Sequence, residues 1–211
     1  MRKSVFIGIM ILFVSFSAKS QNDTIKSNNL LNEVMKIEKD STQLLPDKFL
    51  FTQRILWGKK GLMRNFNCFE LSTEERKREL KIRRIMLVSH QVFGFATLAG
   101  MVAQGIVGTK LYNGDTTLLN THAAIAVGIN VCYFTTAFLS LFSPPKMLNE
   151  RAGFSSIKIH KAIAIVHFSS MIATNILAGL VGGNDKLRPY HRAAAFTAFG
   201  SFALSMVVLK F

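Results

Sequence analysis

The chain has 211 residues, 49% of them hydrophobic and 18% charged, with 26 Lys and Arg against 12 Asp and Glu. That apolar content excludes a disordered tail, and its uneven placement excludes an ordinary soluble globule. Two cysteines, Cys68 and Cys132, exclude a disulfide scaffold and a Cys-rich zinc site.

Residues 1–20 carry Arg2 and Lys3, an apolar run from Val5 to Phe16, and then Ala18-Lys19-Ser20. This is the order of a signal peptide, cleaved before Gln21. The run is shorter than the roughly 20 apolar residues of a spanning helix; an uncleaved anchor is the other reading. Residues 21–43 are polar and lack aromatics, with one short helix expected at Leu30–Ile37. Residues 46–66 interleave Phe49, Phe51, Ile55, Trp57 and Leu62 with Lys48, Arg54, Lys59, Lys60 and Arg64. Such a mixture suits a segment lying on the membrane surface or a small packed extramembrane helix. Ser72 followed by Glu75 forms a capping box, from which one rod is expected to run from Thr73 to Gly108.

Four apolar stretches follow, at about Ile85–Gly108, Leu118–Phe142, Ile159–Gly182 and Pro189–Leu209. Each approaches the length that crosses a hydrocarbon core. Asn113-Gly114-Asp115, Ser143-Pro144-Pro145 and Gly182-Gly183-Asn184-Asp185 separate them with helix-stop chemistry. Short connections make sequential helices antiparallel. The expected fold is therefore an all-α membrane protein, an antiparallel up-down four-helix transmembrane bundle. Its expected organisation is a signal peptide at 1–20, an exported and partly interfacial segment at 21–72, and a four-helix transmembrane domain at 73–211 that carries the candidate site.

The expectation for a site comes from the histidines. All five, His90, His122, His160, His167 and His191, lie in or beside the spans, where ionisable residues are rare and usually face a cavity, partner or ligand. Let side A be the membrane face where the first span begins and side B the opposite face. Antiparallel geometry puts His90 and His160 near A, and His122 and His191 near B, each pair on diagonal helices. A haem iron held by one His from each side is the natural ligand of such a pair. A porphyrin edge lying along a helix requires a small residue one turn away. The residues four after these histidines are Gly94, Ala126, Ala164 and Ala195, whereas four after His167 is Met171. His160 is thus favoured as ligand, with His167, seven residues on, as its alternate. The expected complement is two haem b per chain. Arg84 and Lys161 on side A, and Arg188 and Arg192 on side B, are candidates for the propionates as well as ordinary interfacial anchors. The halves also echo each other. The interval from His90 to His160 is a single position longer than that from His122 to His191, and THAAIAVG is similar to YHRAAAFTAFG.

These strings, SHQVFGF, NTHAAIAVG, KIHKAIAIVH and PYHRAAAF, resemble the cytochrome b561-type core over about residues 84–211. The family is a helical membrane bundle with histidines on four successive spans binding two b-type haems. This chain departs from larger members in having four spans rather than six, and lacks the aromatic that often follows the His-Arg pair. The resemblance implies transmembrane electron transfer, with a small reductant, quinol or redox protein as donor or acceptor.

Among rival readings, nucleic-acid binding is disfavoured because the positive charge sits at membrane edges and no nucleic-acid motif occurs. A metal transporter would want carboxylates beside the intramembrane histidines, and a hydrolase would need one to orient a base; the span interiors have none. The substantive alternative is a cofactor-free integral scaffold or lipid-binding protein. Membrane lipid is a partner on either reading, and a homodimer is one admissible assembly. The export signal places residues 21–84 on the exported side of a bacterial inner membrane. The positive-inside rule argues the reverse, because Arg76, Lys77, Arg78, Lys81, Arg83 and Arg84 gather on side A.

Overall fold

The computed structural model describes residues 44–146 and 156–210. The signal peptide, its cleavage point, the stretch 21–43 and the helix expected at Leu30–Ile37 lie outside them. A short helix, α1 (Phe51–Trp57), precedes four long ones: α2 (Thr73–Tyr112), α3 (Leu119–Leu141), α4 (Ser156–Val181) and α5 (Arg188–Lys210). No strand occurs among the described residues. The four long helices are each long and apolar enough to cross a membrane, so the chain is an integral membrane protein of all-α, four-helix architecture. Val92, Phe95, Val127, Val131, Ile165 and Ile176 are all more than half exposed on the bundle's outside. That outer face is intelligible only with lipid, not water, as the solvent.

Helix ends follow local chemistry. Ser72 accepts a hydrogen bond from the Glu75 N–H at 3.3 Å, and α2 then runs 40 residues without a break, about 60 Å at the α-helical rise. Gly114, at φ +106°, turns the chain toward α3 in a conformation that β-carbons disfavour. Asn184 caps the turn before α5 by accepting from the Lys186 N–H at 3.1 Å.

Most helix packing lies within two hairpins, α2 against α3 and α4 against α5; α2 also touches α5. Gly100 lets α2 approach α3 so closely that an added Cβ would meet Ile129 Cγ1 at 2.8 Å. Between the hairpins the mid-membrane core comprises Met101, Ile129, Tyr133, Met171, Ala198 and Phe202. These residues pair across the sequence repeat. Met101 corresponds to Met171 at the interval that relates His90 to His160, and Ile129 to Ala198 and Tyr133 to Phe202 at the interval that relates His122 to His191. The bundle is thus two equivalent hairpins in parallel orientation, a repeat type familiar among membrane proteins. An Asn175 Nδ2 to Asn130 Oδ1 bond of 2.9 Å ties α4 to α3.

Side A carries a compact cap. The α1 residues Gln53 and Trp57 donate to the main-chain carbonyls of Ser143 and Phe142, both at 2.9 Å. The opposite face of α1, with Phe51 and Ile55, stays exposed. Sequence left a surface-lying and a packed helix open; α1 packs through one face and leaves an apolar face outward. Beneath it, fully buried Glu79 receives both Arg64 and Arg76, the latter at 2.6 Å. Arg76 also donates to the carbonyls of Pro145 and Lys146 at 2.7 and 2.8 Å, and Arg64 to those of Trp57 and Phe69, both at 2.7 Å. One carboxylate therefore organises the cap.

Removing one partner from a buried ion network leaves uncompensated charge and costs about 3–5 kcal/mol. Glu79→Ala should destabilise the cap by that amount, read as a lower midpoint for unfolding followed by fluorescence of Trp57, the chain's single tryptophan. An unchanged midpoint would contradict the role given to Glu79.

Candidate functional site: two diagonal histidine pairs

His90 on α2 and His160 on α4 face each other with ring centroids 6.3 Å apart and planes at 82°. His122 on α3 and His191 on α5 do the same at 6.4 Å and 73°. Each pair joins one hairpin to the other. Two imidazoles bonded to one metal ion from opposite sides, each through a bond of about 2 Å, bring their centroids to about 6 Å once the ring radii are added. Both observed separations have that value.

Hydrogen bonds aim the rings. His90 Nδ1 donates to the Thr136 carbonyl at 2.9 Å, His160 Nδ1 to Ser205 at 3.0 Å, and His191 Nδ1 to Thr174 at 3.1 Å. Every acceptor lies on the other helix of the same hairpin. A ring that gives its Nδ1 proton to a carbonyl keeps the Nε2 lone pair for a ligand, the arrangement found behind metal-bound histidines. Ser or Thr occupies all three acceptor positions. Each hydroxyl bonds back along its own helix, Thr136 to Cys132 at 2.8 Å, Ser205 to Phe202 at 2.7 Å and Thr174 to Ser170 at 2.7 Å. The hydroxyl is thereby satisfied without water, as membrane burial demands, and the second carbonyl lone pair serves the ring.

Register links the two layers. The steps from His90 to Gln104, His122 to Thr136, His160 to Thr174 and His191 to Ser205 are equal in length. Each is about four helical turns, so on every helix both positions share one face about 21 Å apart. Between the layers stand the core residues named above.

The donor set suits a planar tetradentate group with two axial positions. Among the described residues no three His, Cys, Asp or Glu side chains converge to hold a metal unaided, so a metal between either pair would need its other ligands from a bound group. Gly94, one turn from His90, is buried, yet a Cβ added there would meet no atom within 4 Å. It borders a space along the His90 face, where a flat ligand edge would lie.

His167 has a different environment. Its Nδ1 is 2.6 Å from the Tyr133 hydroxyl, and Phe202 packs against it edge-on at 5.2 Å. The close approach to His90 is made by His160, while His167 sits in the aromatic layer between the pairs. Among the propionate candidates, Arg84 and Lys161 are exposed. Arg188 pairs with Asp185 at 2.9 Å, and Arg192 stacks on Tyr112 at 4.5 Å and on Phe196 at 5.6 Å. Arg192 thus links the start of α5 to the end of α2. Sequence reasoning missed Gln104, whose side chain meets His122, and the Tyr133–His167 bond; a Gln one turn before Gly108 gave no periodic signal.

Comparison with protein-family models, curated proteins and solved structures gave no match.

Gly108 supports His122 directly: an added Cβ would lie 2.9 Å from its Cε1 and 3.3 Å from its Nδ1. Gly108→Leu should therefore displace His122, and a metal group held by the His122–His191 pair would then bind about tenfold or more weakly, the usual cost of disturbing a ligand's supporting shell. Binding at the His90–His160 pair should remain. Equal loss at both pairs, measured by titration with hemin, would contradict this local effect.

Proposed function

We propose that the chain is a transmembrane electron carrier holding two haem b groups, one between His90 and His160 and one between His122 and His191. The observation that carries this reading is the pair of diagonal imidazole contacts at 6.3 and 6.4 Å. Haem, when bound, supplies a ferric–ferrous couple that passes one electron at a time. His90 with His160, and His122 with His191, would hold the iron of each group between two imidazoles, which would favour electron transfer over ligand activation. The carbonyls of Thr136, Ser205 and Thr174 hold three of those rings in the required tautomer. With about 21 Å between layers, one group would lie toward each membrane face, and the intervening aromatic and methionine side chains would exclude water. Arg84, Lys161, Arg188 and Arg192, near the span ends, would be the cations available to haem propionates, and Arg192 is held against Tyr112.

The resemblance to cytochrome b561-type cores agrees with this reading, and with a quinol, small reductant or redox protein as donor or acceptor. The chain then belongs in a bacterial inner membrane, with residues 21–84 and the side-A cap on the exported face. A cofactor-free scaffold or lipid-binding protein accounts for the spans but leaves two aimed imidazole pairs without a purpose.

Purified protein should give about two haems per chain in a pyridine haemochrome assay. His90→Ala or His160→Ala should each remove one of these, with His122 and His191 retaining the other, and the converse should hold for His122→Ala and His191→Ala. A colourless protein would sink the proposal; so would His167→Ala removing the His90-side haem while His160→Ala spares it. Orientation has its own test. Protease added to spheroplasts should cut within residues 44–80, and cleavage only after permeabilisation would reverse the assigned sidedness.

A further inference from the structure

Three of the four paired rings give Nδ1–H to a main-chain carbonyl; His122 does not. Its Nδ1 is buried without a hydrogen-bond partner. Its Nε2 instead accepts from the side-chain amide N–H of Gln104 at 3.2 Å. The same amide nitrogen donates to the His122 carbonyl at 3.0 Å, and Gln104 Oε1 is a second buried polar atom without a partner. A buried donor and a buried acceptor, each unsatisfied, thus belong to two side chains already in contact. Buried polar groups rarely stay so unless a further arrangement pairs them.

The internal repeat marks the position concerned. The interval that carries His90 onto His160 carries Gln104 onto Thr174, and the Thr174 carbonyl is the acceptor for His191 Nδ1. At the equivalent place beside His122 the main-chain carbonyl of Gln104 receives no bond from Nδ1, and the group in contact with the ring is the amide side chain of that residue. We propose that Gln104 is the positioning residue of the His122–His191 site, its Oε1 accepting a hydrogen bond from His122 Nδ1–H when Nε2 is committed to iron. The inference rests on the haem reading above. Nε2 gives up the amide N–H in favour of the metal, and the two orphaned atoms pair with each other. Gly108, one turn further along α2, keeps the room beside Nδ1 in which this happens.

This makes the two sites unequal in a defined way. The ring partners of His90, His160 and His191 are main-chain atoms that no substitution removes, whereas that of His122 is a side chain. A hydrogen bond from Nδ1–H raises the basicity of the ligating nitrogen and so favours the ferric state. An anionic acceptor strengthens that bond.

The test is a redox titration of the purified two-haem protein, followed optically, together with haem transfer to excess apomyoglobin. Gln104→Leu should raise the midpoint of the His122–His191 haem and speed its loss, with affinity lower by about 10- to 100-fold, the usual cost of removing such a partner. Gln104→Glu should lower that midpoint below wild type. The His90–His160 haem should not shift in either variant. The downward shift in Gln104→Glu stands alone if the leucine variant does not accumulate. Tighter haem retention in Gln104→Leu would mean that Gln104 only competes for Nε2, and would overturn the inference. Two bound haems unchanged in both variants would overturn it too, while leaving the haem reading intact. A wild-type protein that binds no haem would overturn both.

Discussion

A ring N–H inside a lipid-bound helix pair is costly without a protein acceptor, because no water is there to provide one. In this bundle the acceptor is a carbonyl on the neighbouring helix of the same hairpin, for His90, His160 and His191 alike. That bond decides much else. It fixes the tautomer, turns the Nε2 lone pair away from the hairpin, and makes the ring an outward-reaching arm directed at the other hairpin. Two hairpins built this way and set side by side present their rings to each other across the diagonal, at two depths. The Ser and Thr at the acceptor positions belong to the same device, since their hydroxyls bond back along the helix and leave the carbonyl available.

Duplication makes the device economical. Two nearly equal offsets, one for each helix of the hairpin, relate the ring positions, the carbonyl positions and the core pairs Met101/Met171 and Tyr133/Phe202. Where the halves diverge, the divergence has consequences. His167 stands at the place of Thr97, and its bond to Tyr133 puts a polar contact into the layer between the pairs. Gln104 stands at the place of Thr174 and alters the surroundings of one ring. The cap on side A, gathered around Glu79, lies against the α2–α3 end and gives that face a surface unlike side B.

The four spans were legible because lipid imposes a long apolar run on every crossing, a constraint written directly in residue type. The diagonal approach of His90 to His160 and of His122 to His191 was legible for a related reason: short turns force antiparallel neighbours, and depth can be counted along each helix. The choice between His160 and His167 rested on the bulk of Met171 against Ala164, and the rings that approach His90 most closely are those of His160. What could not be read was everything carried by main-chain atoms. Any residue offers a carbonyl, so Thr136, Thr174 and Ser205 looked like ordinary polar residues within apolar helices. The cap was hidden because Arg64 and Glu79 are 15 residues apart across a tight turn. Arg76 then counted as one more interfacial charge, although it is buried against that carboxylate.

The central claim is that each imidazole pair grips one iron atom, and the ring planes offer the most direct test. They cross at 82° and 73°, and near-perpendicular axial imidazoles give low-spin ferric haem with a strongly anisotropic electron paramagnetic resonance spectrum. The oxidised, purified protein should show two such low-spin signals and no high-spin component. A high-spin signal in the wild-type protein, or no haem signal at all, would contradict the account.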